Sequence, residues 1–192
     1  MKKVILIAMC TVLVISCAPV PVSFADSRDS KAYKAVKIGE QTWMAENLNY
    51  DVEGSVCYGN CATWGRLYDW NTAMKVCPDG WHLPSDLEWT TLTDGIRNSE
   101  TEAGTYLKAA KGWFYNGHSG NGTDYYSFSA LPGGSGSSDG SFHDVGDKGY
   151  WWSATVIDSD RAYYRSMSYG SKYVDRDFSY KDRLFSVRCI QD

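Results

Sequence analysis

Three histidines are the residues of this chain best suited to acid–base catalysis. His82 follows a tryptophan in a predicted turn, whereas His118 and His143 lie in glycine-rich stretches. A histidine base must reach a nucleophile or a carboxylate by a hydrogen bond, and the sequence identifies no such partner. We therefore expect a structural role for His82 and exposed polar positions for the other two.

Three aspartates in the glycine-rich part of the chain, Asp139, Asp144 and Asp147, could supply oxygen ligands to Ca²⁺. Their spacing fits no calcium-loop pattern, so we interpret them as solvated turn residues. The chain also has no nucleophile-elbow motif for Ser-His-Asp chemistry. The sequence thus predicts no catalytic residues, no metal site and no cofactor, and it predicts that the protein is not an enzyme.

The N-terminus has the features of an export signal. Two lysines precede an apolar run over residues 4–15 that is too short to span a bilayer comfortably. The run ends in Val-Ile-Ser-Cys, which resembles the bacterial lipobox, where the cysteine is lipid-modified and begins the mature chain. We predict a signal peptide over residues 1–16, lipidation of Cys17 and anchoring in the bacterial cell envelope. The periplasmic side and the surface-exposed side of the membrane are both compatible with this anchor. The alternative is an ordinary secretory signal cut near Ala25.

Four cysteines remain outside this signal. An even number in an exported chain predicts two disulfides, which allow three pairings. Cys57 and Cys61 flank a flexible Tyr-Gly-Asn turn, so we pair them with each other and pair Cys77 with Cys189. Zinc ligation by all four is the alternative, but their uneven spacing and the export signal oppose it.

The composition favours a domain of short strands. Residues 17–34 show no apolar period and are predicted to be a flexible, unstructured tether, which leaves residues 35–192 as one domain. Aromatic residues make up 15% of the chain and charged ones only 22%, with 18 glycines, which argues against long helices. The net charge of -4 and the lack of a basic stripe exclude a nucleic-acid partner.

Two helices are predicted. The first covers residues 63–77, with Thr63 as its N-cap. The second begins at Pro84, where Ser85 and Glu88 form a capping box. The apolar stripes that support these helices are Leu67, Trp70, Met74 and Cys77 in the first and Trp89, Leu92 and Ile96 in the second.

Strands and loops account for the remainder of the domain. Residues 35–44 alternate apolar and polar side chains around a turn. Residues 103–110 are predicted to form a short helical turn, and residues 112–149 a long Gly- and Ser-rich loop region containing ordered aromatics. The late strands are predicted over residues 151–156, 162–168, 172–178 and 185–189.

Aromatic and basic side chains are concentrated in the late strands. Side chains alternate along a strand, so about half of them face outward, and adjacent Trp151 and Trp152 face opposite sides. Outward Tyr and Arg side chains predict a surface for a glycan or protein ligand; an ordinary sheet face is the alternative. The predicted surface consists of Trp152, Arg161, Tyr164, Tyr169, Tyr173 and Arg176.

Several long stretches resemble the Fibrobacter succinogenes major paralogous domain, a secreted or surface domain of Bacteroidetes and Fibrobacteres without an assigned biochemical role. The stretches are VKIGEQTWMAENL (residues 36–48), GRLY (65–68), CPDGWHLPS (77–85), GYWWSAT (149–155) and FSVRC (185–189).

A more remote resemblance concerns the fold. The first-helix pattern of C-type lectin-like domains is similar to Ala73, Cys77, Gly80, Leu83 and Glu88. In that fold the cysteine that ends this helix bridges to the last strand, as Cys77 and Cys189 would. The calcium motifs of sugar-binding lectins are missing, and the catalytic cysteine pair of the related formylglycine-generating-enzyme-like group has no match.

These observations predict an α+β domain of C-type lectin-like fold, with two helices packed on short, mostly antiparallel strands and a long Gly/Ser-rich loop region. The expected function is non-catalytic binding or adhesion at the cell envelope. The alternatives are a structural envelope protein without a small ligand and an enzyme of the formylglycine-generating-enzyme-like group.

Overall fold

Two larger sheets and four short helices form the mixed α+β domain seen in a computed structural model, which describes residues 19–97 and 99–192. The predicted signal peptide over residues 1–16 and the predicted lipidation site Cys17 lie outside this range. No helix in the described part of the chain is long and apolar enough to cross a membrane.

The secondary structure consists mainly of short strands. In chain order the strands are β1 (Val22–Ala25), β2 (Ala32–Ile38), β3 (Gln41–Met44), β4 (Ser55–Val56), β5 (Leu67–Tyr68), β6 (Trp81–His82), β7 (Phe114–Tyr115), β8 (His118–Ser119), β9 (Ser135–Gly136), β10 (Phe142–His143), β11 (Lys148–Val156), β12 (Arg161–Ser168), β13 (Asp175–Tyr180), β14 (Phe185–Ser186) and β15 (Ile190–Gln191). The helices are α1 (Cys61–Trp64), α2 (Trp70–Ala73), α3 (Asp86–Asp94) and α4 (Ser99–Leu107).

The first sheet joins both ends of the described chain. Its strand order is β1-β2-β3-β15-β6, and all of its pairings are antiparallel. The prediction of an unstructured tether over residues 17–34 is therefore wrong for much of its length, since β1 and the start of β2 lie within it. Alternation explains the pairing, because Tyr33 and Ala35 are buried while Lys34 is exposed.

The second sheet carries the late strands in the order β13-β12-β11-β14-β5-β4. Only the β11–β14 pair is parallel. Trp151 and Trp152 face opposite sides of β11, as alternation predicts, yet both are fully buried. Each belongs to a different apolar cluster, because β11 lies inside the sheet and both of its faces are covered. Trp152 therefore cannot line a binding surface, and its assignment to one is wrong.

The predicted helix over residues 63–77 is also wrong. Helix α1 is capped by Asn60 rather than Thr63, and Gly65 is its C-cap. Gly65 has a φ of 76°, which favours glycine, and a Cβ there would lie 2.8 Å from the Leu48 carbonyl oxygen. The chain then pairs as β5 before Asp69 caps the short α2. The apolar spacing that suggested one long helix belongs to a strand followed by a single helical turn.

Helix α3 confirms the predicted capping box. The Ser85 hydroxyl accepts a hydrogen bond from the Glu88 amide at 3.2 Å, and the Glu88 carboxylate accepts one from the Ser85 amide at 2.6 Å. The helix packs through Trp89, whose ring centre lies 6.5 Å from that of Trp151 on β11 and 4.8 Å from that of Trp43 on β3, and Leu92 belongs to the same buried cluster. This packing forms the core between α3 and the two sheets.

A buried polar network joins three stretches that carry the family resemblance. Asn47 accepts hydrogen bonds from the Trp151 indole at 2.9 Å and from Arg188 at 3.1 Å. Arg188 also donates to the carbonyls of Met44 and Phe128. Burial lowers the pKa of this fully buried guanidinium. The network ties the long loop region to the sheets.

Lys108 connects the end of α4 to the end of β12. Its own carbonyl accepts a hydrogen bond from the Asp124 amide at 3.1 Å and so contacts the loop region. Its ammonium group donates to the carbonyls of Ser168 at 2.9 Å and Ser171 at 2.8 Å. The side chain is almost fully buried, and burial lowers its pKa to about 8. The predicted loop region over residues 112–149 contains the small β7–β8 and β9–β10 hairpins and ends in the first two residues of β11.

Both predicted disulfides are present. Cys77 is bonded to Cys189 and Cys57 to Cys61. The first joins the segment after α2 to the start of the last strand and closes a loop with a sequence separation of 112 residues. The second closes a local turn before α1.

Candidate ligand-binding groove

Three adjoining cavities form one open groove on the surface. The largest has a volume of about 1120 Å³ and shares Ser138, Tyr180 and Asp182 with a second cavity of about 450 Å³. The largest cavity also adjoins a third cavity of about 250 Å³. The two have Glu53, Asn71 and Thr72 in common. The shared residues make the groove continuous, so it can accommodate an extended ligand.

One wall of the groove is formed by β4 and the start of α2. The Asp69 carboxylate caps α2 by accepting hydrogen bonds from the Thr72 amide and hydroxyl, both at 2.9 Å. Gly54 has a φ of 84°, and a Cβ there would lie 2.1 Å from the Thr72 hydroxyl oxygen. Only glycine allows the two segments to approach this closely, so this wall depends on Gly54.

Lys181 positions the opposite wall, which is formed by residues 159–160 and 180–184. Its ammonium group donates to the carbonyls of Asp158 at 3.1 Å and Ser159 at 2.9 Å. The same group lies 4.5 Å from the centre of the Trp70 ring, and the Lys181 carbonyl accepts a hydrogen bond from the Trp70 amide. Lys181 therefore links the two walls and fixes the width of the groove.

Several side chains that line the groove keep their hydrogen-bonding groups available. The amide of Asn71 and the carboxylates of Glu53 and Asp160 form no hydrogen bond within residues 19–97 and 99–192. Tyr180 leaves 63% of its surface exposed and lies at the junction of two cavities. An amide, carboxylates and an accessible aromatic ring together can bind a ligand that presents both hydroxyl groups and apolar faces.

The charge of the groove changes along its length. The large cavity is lined by the carboxylates of Glu53, Asp69, Asp160 and Asp182 and by one ammonium group, that of Lys181. This excess of negative charge disfavours anionic ligands there.

The small cavity at one end is lined by the basic side chains of Arg28 and Lys75. Arg28 forms an ion pair with Asp26 at 2.6 Å and stacks 4.0 Å from the Tyr50 ring centre. The hydrogen bond to Asp26 raises the pKa of Arg28.

The structure separates the residues that the sequence grouped as one binding surface. Arg161 and Arg176 do share a face of the β12–β13 pair, where Arg161 lies 5.0 Å from the Phe178 ring centre and Arg176 lies 3.9 Å from that of Tyr163. Arg176 also pairs with the Asp86 carboxylate at 2.9 Å. These two arginines therefore contact aromatic rings of their own sheet.

The three predicted tyrosines lie apart from this face. Tyr164 points to the opposite side of the sheet and is half-buried against Tyr150 and Phe185. Tyr169 packs against Tyr115 of the β7–β8 hairpin at 5.2 Å, whereas Tyr173 is exposed on a separate loop. The structure does not bring the predicted residues together into one site.

The groove residues were missed because those of the large cavity alone come from five separate segments of the chain. Asn71 lay inside the incorrectly predicted helix, and Glu53 lay in a loop without any pattern. Tyr180 carried a usable signal, since it follows Arg176 and Phe178 at intervals of two residues on one face of β13. Extending that alternation by one more step would have identified it.

His82 lies between two carboxylates, and among the described residues it forms no hydrogen bond to a nucleophile. Its Nδ1 is 2.6 Å from Asp192 and its Nε2 is 2.8 Å from Glu88. Burial alone would lower its pKa, but the hydrogen bonds to Asp192 and Glu88 outweigh burial and raise it. The Ser85 hydroxyl donates to Glu88 and not to His82. The imidazole therefore links β6, α3 and the end of the last strand.

The aspartates of the loop region have separate local roles. Asp144 accepts a hydrogen bond from the Tyr150 hydroxyl at 2.8 Å, and Asp139 accepts one from Ser141 at 2.7 Å. One oxygen of Asp147 is buried without a hydrogen-bond partner, and burial raises the pKa of this carboxyl group. No group of three or more His, Cys, Asp or Glu residues among those described is arranged to hold a metal ion.

One known protein family matches most of this chain. The model of the Fibrobacter succinogenes major domain matches residues 36–191. Searches of curated proteins and of solved structures gave no match. The match covers the buried network, both disulfides and nearly the whole groove. The chain therefore belongs to the Fibrobacter succinogenes major domain family.

Proposed function

We propose that the protein is a non-catalytic binding module of the bacterial cell envelope that holds a neutral glycan in the groove. The membrane attachment is a lipid on Cys17, and nucleic acid is not a partner. The observation that carries the proposal is the continuous groove, whose accessible Tyr180 lies in the same cavity as the available polar groups of Asn71, Glu53 and Asp160.

The chemistry of a sugar ring matches this arrangement. Its hydroxyl groups can donate to carboxylates and pair with an amide, while its C–H face packs on an aromatic ring. Adjoining cavities suit several consecutive sugar units. The negative charge of the large cavity favours neutral chains over acidic ones, because an anionic sugar would meet four carboxylates there.

A C-type lectin-like fold is part of the proposal. The bridge between Cys77 and Cys189 supports it, because it joins the segment after α2 to the start of the last strand, and in that fold a cysteine at the end of the first helix bridges to the last strand. An enzyme of the formylglycine-generating-enzyme-like group is disfavoured because all four cysteines in the described part of the chain form structural disulfides. Cys57 and Cys61 are bonded to each other in a local turn, and the other two form the long bridge.

The test is binding of the membrane-purified chain to an array of neutral and acidic oligosaccharides. We expect binding to neutral chains, and Tyr180→Ala should weaken it by about 2 kcal/mol, or roughly thirtyfold in Kd. The matched control is Tyr173→Ala, which removes an exposed tyrosine outside the groove and should leave affinity unchanged. Equal losses in both variants, or binding to no glycan at all, would refute the groove as a glycan site.

A protein ligand is the second candidate, and strand β13 favours it. This strand forms the edge of the six-stranded sheet and its side chains are largely exposed, including Phe178 at 45%. An open edge of this kind can pair with a strand of another protein. The test is cross-linking of β13 to neighbouring proteins in intact cells, in the wild-type chain and in Phe178→Lys. Identical cross-linked products in the two chains would rule out the β13 edge as the site that binds a protein.

A further inference from the structure

The chain enters the fold very close to its predicted anchor. The carbonyl of Pro19 accepts a hydrogen bond from the Ser127 hydroxyl at 3.0 Å. Strand β1 starts at Val22, which pairs with Ala35 of β2. The ordered domain therefore begins two residues after Cys17, where a tether had been predicted.

Covalent geometry limits the distance between the domain and a lipid on Cys17. Consecutive Cα atoms are about 3.8 Å apart, so Pro19 can lie at most about 8 Å from the Cα of Cys17. The headgroup layer on each side of a bilayer is itself roughly 6 Å thick. A lipid on Cys17 would thus place Pro19 and its neighbours at the level of the headgroups.

We propose that the face around Pro19 rests directly on the lipid bilayer, held there by this short connection. The inference rests on the lipid anchor of the proposed function. It identifies the occupant of this face as a lipid surface and gives the domain a fixed orientation, in place of free movement on a tether.

The side chains around Pro19 suit a membrane interface. Val20 and Val22 are 79% and 63% exposed, more than any other valine among the described residues. An exposed apolar side chain loses unfavourable contact with water when it enters the apolar part of a bilayer interface.

The direction of β1 determines where the groove lies in this orientation. The strand runs away from Pro19 and ends at Ala25, and the chain then turns back, with the Asp26 amide donating to the Lys31 carbonyl. Arg28 lies in that turn and lines the small cavity of the groove. Strand β1 alone spans about 10 Å, so this end of the groove lies about one strand length from the face around Pro19.

Fluorescence quenching by lipids in reconstituted vesicles tests the orientation. A fluorophore on Val20→Cys and another on Asp160→Cys, each in the full lipid-modified chain, are compared in vesicles that carry a quencher at the headgroup level. We expect quenching several-fold stronger at position 20 than at position 160. Equal quenching at the two positions would overturn the inference, because a tethered domain samples all orientations.

A linker variant tests whether the short connection sets the orientation. Twenty Gly and Ser residues inserted between Ala18 and Pro19 add a flexible span of about 25 Å and precede every described element of the fold. Quenching at position 20 should then fall to the level seen at position 160. Undiminished quenching in the linker variant would refute the role of the connection.

Failure of the anchor can be told apart from failure of the orientation. Incorporation of labelled fatty acid into the wild-type chain but not into Cys17→Ser supports the anchor. Absence of label from both chains would remove the anchor and the orientation together. A labelled chain that binds the neutral glycan but shows equal quenching at both positions overturns the orientation alone.

Discussion

The buried network around Asn47 and the open groove are built from different parts of the chain. Asn47, Trp151 and Arg188 all lie in stretches that resemble the family, whereas every residue lining the large cavity lies outside those stretches. These stretches therefore predict how this domain is held together. They do not predict what the groove binds, which has to be worked out from the groove itself.

The two regions also differ in how their polar groups are used. In the network, Arg188 donates to an amide oxygen and to backbone carbonyls that would otherwise be buried without partners. In the groove, the side chains of Asn71 and Glu53 have no hydrogen-bond partner within the described residues. Satisfied polar groups stabilise a fold, while unsatisfied ones at the surface are available to a ligand.

The largest expected effect separates the two disulfides, one in the core and one beside the groove. In the chain-entropy model a loop of ~100 residues contributes about 4.7 kcal/mol to stability, and a very short loop contributes much less. Cys77→Ser should therefore lower the free energy of unfolding far more than Cys57→Ser, as measured by urea denaturation. Equal losses would contradict the contrast between core and groove.

A smaller but still large effect is expected from Arg188→Ala. The substitution leaves several buried carbonyls without a donor, which should cost roughly 3 kcal/mol or more. Tyr180→Ala in the groove should change stability by no more than about 0.5 kcal/mol. Thermal unfolding of both variants tests this pair, and a comparable loss of stability in Tyr180→Ala would place that residue in the core instead.

The smallest effect concerns alkaline pH. Burial raises the pKa of the Tyr68 hydroxyl, which donates to the Tyr50 carbonyl at 2.8 Å, and burial also raises the pKa of Tyr150. Their unfolded pKa is about 10, so the stability they contribute is complete below that pH. Above pH 10 it should fall by roughly 1.4 kcal/mol per pH unit for each group. Tyr68→Phe should flatten this fall, and an unchanged pH profile in that variant would exclude Tyr68 as its source.

Local signals in the sequence were sufficient for much of the core. The capping box at Ser85, the Cys57–Cys61 bridge and the strands over residues 151–156 and 162–168 depend on short-range patterns, and the structure confirms them. The strand predicted over residues 172–178 is shifted to Asp175–Tyr180, and of residues 185–189 only Phe185–Ser186 form a strand. The helix over residues 63–77 failed because Gly65 needs a positive φ to pack against the Leu48 backbone. That contact joins distant segments, and no local periodicity reports it.

The position of Trp152 and the groove depend on sheet order, which alternation alone does not determine. Alternation correctly placed Trp151 and Trp152 on opposite faces, but whether a face is exposed depends on what covers it. The two walls of the groove likewise meet only because β5 pairs with β14 and the Trp70 amide reaches the Lys181 carbonyl. Such long-range pairings had to be seen in the structure.

The bridge between Cys77 and Cys189 also has a mechanical consequence for a protein held at a surface. If tension acts between Pro19 and Asp192, the covalent bond prevents the enclosed loop from being drawn out. At about 3.4 Å per residue, the unravelled chain could lengthen to only about 200 Å with the bridge, compared with about 590 Å without it. The wall of the groove that contains Tyr180 and Lys181 would then stay inside the protected loop under load, whereas the wall built from β4 and α2 precedes Cys77 and would not.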